Sequence, residues 1–458
     1  MKNILLILAA ILSMGFISSS RAQEINKYKP VKQASVKVPH TVPSYKQLAG
    51  IYYSQKDWKN YEKAMLELAK MLPYDGWIQY RLAGAYALQD NKASAFDLLL
   101  KMQDIGFAFD LDASADFTHL KNTGLYDHLQ KGFASNKEAA GTAYISNTTK
   151  QENLLVDALA WDNKNKDLYM GTINTGEIWK IDSKGKETLW LSSGKIKEVQ
   201  SIADLLVDET RQILWVVSNP SASLNAKSKN PNARSSVIAI NLKNKKVVSH
   251  LNVRGDKFNG YLSAITSSTA GDIYLADAKA PFIYTKSPDK DELIIHANLK
   301  GLTGFRGLAV TPDNSRLYLA DFEKGLISLD QRSGKVEPLK LYKPTILGGI
   351  EEIYFLDNNL FIVQPGMYPA KAMQFNLAED GLTIIGLHTI GSSLEHMNDS
   401  TAGTPGKDGF FFIGNSQWGR FGKGGKKVND KDEPTYIYHA ATEPPPEKEV
   451  SAEIKKAG

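Results

Sequence analysis

At 458 residues the chain is too long for one ordinary core and predicts two or three domains. Cysteine is absent, which excludes disulfides, thiol catalysis and thiolate metal centres. Lys and Arg outnumber Asp and Glu by 55 to 50. This near-neutral balance, with basic runs at Lys243–Lys246 and Lys423–Lys427 that carry no interleaved aromatics, argues against a nucleic-acid partner.

In chain order, the first element is a leader. A charged start (Met1-Lys2-Asn3), an apolar stretch from Ile4 to Ile17 and a small-x-small site at Ser20-Arg21-Ala22 predict a secretory signal peptide over 1–22, with mature protein from Gln23. Without a cysteine to acylate, the exported chain is not a lipoprotein, and the periplasm or medium of a bacterium is its expected location. No later segment is long and apolar enough to predict a membrane span. Residues 23–42 alternate Lys, Pro and Val without an apolar period and predict an extended linker.

Residues 43–135 predict α-helices. Tyr45, Leu48, Ala49, Tyr52 and Tyr61 recur 34 residues later as Gln79, Leu82, Ala83, Tyr86 and Ala95. Leu-Ala-x-x-Tyr at this interval, with Pro73 closing the unit, resembles the tetratricopeptide repeat. The stretch from Asp116 to Leu129 resembles the closing helix of such arrays. The resemblance implies either a concave surface that holds a protein or peptide partner, or a cap that packs on the rest of the chain.

After residue 150 a phrase returns six times: a short apolar strand, an Asp/Asn/Gly-rich turn and a second strand rich in aromatic and β-branched residues. The second strands begin near Leu168, Leu214, Ile273, Leu317, Leu360 and Phe411. A strand pattern with a period of roughly 40–50 residues predicts a β-propeller, here six-bladed, over 145–440. The expected fold is thus tetratricopeptide-like α-helical repeats followed by an all-β six-bladed β-propeller, with a disordered tail at 441–458.

Two blades carry a further likeness. Val156-Asp157-Ala158-Leu159-Ala160-Trp161-Asp162 and Arg306-Gly307-Leu308-Ala309-Val310 resemble blades of the senescence-marker-protein/gluconolactonase family. Met397-Asn398-Asp399 followed by Gly409–Trp418 resembles the related paraoxonase-type propellers. The resemblance implies one divalent cation, calcium or another, at the propeller axis, held by side chains at the heads of the inner strands. Alignment of the repeats puts Asp157, Ala203, Ser263, Arg306, Glu351 and Asp399 at those heads. Asp157, Glu351, Asn398 and Asp399 are the implied metal ligands, and Asp204 and His396 the residues from which a water-activating base would come.

Ser263 and Arg306 depart from the pattern, because the family has Asn there and arginine has donors but no acceptor. Either Arg306 points at the axis and replaces the cation by pairing with a carboxylate, or it turns aside and leaves the acids to a metal. Two functions follow. The chain is a binding or scaffolding protein of the bacterial envelope, with a partner on the helices and a small molecule at the axis; or it is a metal-dependent lactonase or esterase. No nucleophile elbow and no phosphate loop supports other chemistry.

Overall fold

A computed structural model describes residues 39–220, 234–253, 260–343, 345–406, 408–422, 426–428 and 432–442. The expected signal peptide, nearly all of the linker and the tail beyond 442 lie outside the described residues.

Among the described residues five α-helices come first: α1 Val42–Ser54, α2 Trp58–Met71, α3 Gly76–Ala87, α4 Lys92–Asp104 and, after a 3-10 turn at Ala115–Leu120, α5 Gly124–Ser135. Each starts on a residue whose side chain accepts an otherwise unpaired N–H: Thr41, Asp57, Asp75, Asn91 and Thr123. α1 and α3 begin 34 residues apart, as do α2 and α4. Of the recurring positions, Ala49, Leu82, Ala83, Tyr61 and Ala95 are buried. Leu48, Tyr52 and Tyr86 are only partly so.

Among the described residues six sheets of at least four strands follow, blades 1–6 in chain order, with inner strands Val156–Asp162, Ser201–Asp208, Leu262–Ser267, Phe305–Val310, Glu352–Leu356 and Gly403–Gly406. The inner strand of blade 1 carries the enclosed apolar run Ala158-Leu159-Ala160 and turns back on an Asx motif. In blade 1 the Asp162 carboxylate accepts the N–H groups of Lys164 and Asn165, and Lys166 takes the left-handed φ of 57°. The ring closes where strand Tyr144–Thr148 pairs antiparallel with Tyr436–Ala441, so the start of the propeller supplies the outermost strand of its last blade. This join leaves no open seam between the first and last blades. Blade 5 gains a fifth strand, Lys340–Leu341, parallel to Thr383–Ser392.

The helical unit is seated on the propeller at loops of blades 4 and 5. Tyr74 fills a notch where a Cβ on Gly348 would stand 2.3 Å from its own Cβ. Lys324 Nζ donates to Met71 O at 2.9 Å, and the Ala108 N–H donates to Tyr368 O at 2.7 Å. Ile346 and Met367 are buried in the same cluster as Phe107, Phe109 and Phe133. These loops lie at the end of the blades where the inner strands begin. The helices therefore stand beside the mouth of the axis.

Candidate functional site

A shared backbone irregularity marks the heads of the inner strands. The ladder slips between Val156 and Ala158, between Ile202 and Asp204, between Leu262 and Ala264, and between Phe305 and Gly307. The residue bypassed in each case is Asp157, Ala203, Ser263 or Arg306. A bulged residue leaves the pleat and its side chain is re-aimed. The slip recurs at the equivalent position of four blades.

The charged members are linked. Arg306 Nη1 lies 3.4 Å from Glu351 Oε1. Asp157 Oδ1 accepts from Thr401 Oγ1 at 2.5 Å and from the Trp418 indole Nε1 at 3.0 Å. Asp399 Oδ2 accepts the Trp418 backbone N–H at 2.7 Å. Trp418 thus ties together two carboxylates from the two ends of the propeller.

Burial dominates the electrostatics of this group. It pushes the Asp157 carboxyl up to about 8, against the opposing hydrogen bonds from Thr401 and Trp418 and with help from the charges of Glu351 and Asp399. Burial also raises Glu351, opposed by Arg306 and reinforced by Asp399. Asp399 is raised by burial against the hydrogen bonds of Trp418 and Ser416. Tyr261 is raised as well, first by burial and then by Asp157, which places its phenol within the same field.

A raised carboxyl has a consequence for stability. Between about pH 4 and 8 the unfolded chain has released the Asp157 proton and the folded chain has kept it, so this residue lowers stability as pH rises through that window. Asp157→Asn stays neutral and keeps an oxygen for Thr401 and Trp418. Its melting temperature relative to the parent is expected to be higher at pH 8 than at pH 5. An equal difference at both values would contradict the assignment.

The other residues anticipated at the site lie in different settings. Ser263 Oγ donates to Phe305 O at 2.6 Å, joining blade 3 to blade 4. Asp204, 2% exposed, accepts the Leu205 N–H at 2.8 Å and the Ile265 N–H at 2.7 Å, joining blade 2 to blade 3. Its carboxyl is pushed up to about 7 by burial. Both of its oxygens serve this tie. The exposed ring of His396 stacks on Tyr436 at 3.9 Å, and its Nε2 lies 3.4 Å from Glu395. Asn398 is exposed, and its backbone N–H donates to Gly414 O.

Sequence reasoning does not point to Trp418, Thr401 or Tyr261. Trp418 is visible in sequence only as the end of an aromatic run. Nothing in the spacing shows that it folds back across the strand heads.

Calcium takes six to eight oxygen ligands. Here Asp157 Oδ1 and Asp399 Oδ2 already face protein donors, Glu351 Oε1 faces a guanidinium, and Glu351 Oε2 is the enclosed carboxylate oxygen without a hydrogen-bond partner. Among the described residues no group of three or more His, Cys, Asp or Glu is arranged to hold a metal ion. The residues at the axis do not fit a hard dication.

No family model and no curated protein matches the chain. Among solved structures it is similar to a luciferin-regenerating enzyme, at 12% identity and a TM-score of 0.45 over 64% of this chain and 92% of that one. It is similar to a calcium-binding protein, regucalcin, from Agrobacterium tumefaciens, at 11% identity and 0.45 over 67% and 98%. A PQQ-bound aldose sugar dehydrogenase from Streptomyces coelicolor gives 12% identity and 0.44 over 66% and 99%. Likeness this distant assigns neither a ligand nor a reaction to this chain.

Proposed function

We propose that this chain is an exported bacterial envelope protein that binds and scaffolds: the propeller holds a small molecule at its axial mouth, and the helices, read as tetratricopeptide-like repeats, hold a protein or peptide beside it. The observation that carries this reading is the Arg306–Glu351 pair, 3.4 Å apart, where a metal-dependent hydrolase would need an acceptor. A guanidinium there neutralises part of the acidic ring without any cation. The seat of the helical unit beside the same mouth supports a joint platform.

The hydrolase reading requires both a metal and a base next to it, and the settings of Asp204 and His396 favour neither as that base. With excess calcium, the purified protein is expected to hydrolyse dihydrocoumarin no faster than buffer. A calcium-dependent rate that chelator and Asp157→Asn both abolish would overturn the binding reading.

A further inference from the structure

We propose that the axial mouth binds a small neutral aromatic molecule with a carbonyl oxygen, its ring against the Trp418 indole and its oxygen accepting from Arg306. This rests on the reading of the mouth as a small-molecule site and names the class of molecule.

The groups that the mouth still offers decide that class. Asp157 Oδ1, Asp399 Oδ2 and Glu351 Oε1 each face a donor of the protein, and Glu351 Oε2 is enclosed. A ligand is therefore met chiefly by donors and ring faces. The Arg306 side chain is 30% exposed, and a guanidinium carries more donors than the contact with Glu351 uses. Trp418 and Tyr261 are partly exposed as well.

The two rings come from opposite sides of the circle of blades. Trp418 lies in the loop between strands Gly409–Ile413 and Tyr436–Ala441 of blade 6, and Tyr261 immediately precedes the inner strand of blade 3. Asp157 relates them: it accepts the Trp418 indole N–H at 3.0 Å, and its charge acts on the Tyr261 phenol, as do those of Arg306 and Glu351. The Trp418 backbone is held too, its N–H donating to Asp399 at 2.7 Å. A ring fixed at both ends loses little further freedom when a flat partner lies on it. Next to it Gly419 borders open space, since a Cβ there would meet nothing within 4 Å.

Charge selects against ions of either sign. Asp157, Glu351 and Asp399 oppose an organic anion. Arg306 opposes an organic cation, as does Lys279, whose Nζ stands 5.7 Å from the centre of the Tyr261 ring. A neutral acceptor remains.

Benzamide is the probe. Among the seven tryptophans, the Trp418 indole N–H signal of the 15N-labelled full-length protein is identified by its loss in Trp418→Phe. Benzamide is expected to move that signal saturably. Benzoate, benzylamine and cyclohexanecarboxamide, which add a charge or remove the π face, should each bind at least about tenfold more weakly. Trp418→Leu and Arg306→Met should each weaken benzamide roughly fivefold or more by calorimetry, through loss of the ring face and of a charged donor. No saturable shift with benzamide, equal binding of any of the three controls, or unchanged affinity in either variant would each overturn the proposal. The controls decide the matter on the parent protein, should a variant fail to fold. Such a failure without hydrolysis of dihydrocoumarin removes the aromatic ligand alone, whereas calcium-dependent hydrolysis removes the binding reading itself.

Discussion

Replacing Tyr61 by alanine is expected to lower the stability of the helical unit by about 3–5 kcal/mol, the usual cost of deleting a buried aromatic ring. Tyr61 is 1% exposed, packs edge-on against Tyr53 at 5.2 Å and shares a cluster with Met65, Leu68 and Ile78. The loss is chiefly one of packing. Denaturant unfolding followed by far-UV circular dichroism reads the change. A loss below about 1 kcal/mol, the range of ordinary surface substitutions and small core changes, would contradict the packing described for α2. Tyr86 occupies the more conspicuous place in the recurring phrase, yet it is partly exposed, and its truncation should cost less.

That contrast shows what the sequence carries. The recurrence at 34 residues fixes which turns of helix are equivalent, because the same residue types return at the same phase. It does not fix how deeply each is covered, which depends on where neighbouring elements are laid down. The six blades were legible for a similar reason: a strand-turn-strand phrase recurs, and its second strands lie within two residues of the expected starts. Of the six positions that the repeat alignment puts at strand heads, Asp157, Ala203, Ser263 and Arg306 fall on a bulge, whereas Glu351 and Asp399 precede their inner strands Glu352–Leu356 and Gly403–Gly406.

Contacts between distant parts of the chain were not legible. Strand Tyr144–Thr148 is five residues long with no marked alternation, and its partner begins near residue 436. Only ring geometry brings the two together. Trp418 reaches Asp157 across 261 positions, and Tyr74 enters a notch made by glycines of blades 4 and 5. His396 was drawn to the site by its nearness in sequence to Asp399. His396 itself takes the left-handed φ of 62°, and its ring stacks on Tyr436.

The second large effect concerns the axis. Arg306→Asn removes a positive charge beside Glu351 and supplies an amide oxygen at a strand head. Two cations a few ångströms apart repel by several kcal/mol even when the surroundings are moderately polar. The variant is therefore expected to bind calcium at least about tenfold more tightly than the parent, a gain of roughly 1.4 kcal/mol or more. Arg306→Lys, which keeps the charge, should show no such gain. Equal affinity in Arg306→Asn and Arg306→Lys would contradict a role for the guanidinium charge.

Calorimetric titration of calcium into the metal-free, full-length parent protein tests the central claim most directly. With Arg306 against Glu351, and with Thr401 and Trp418 donating to Asp157, the parent is expected to show no saturable heat at concentrations where a dedicated calcium site would fill. Tight, stoichiometric binding by the parent, lost in Asp157→Asn and not improved in Arg306→Asn, would contradict the account and return the axis to a metal-dependent chemistry.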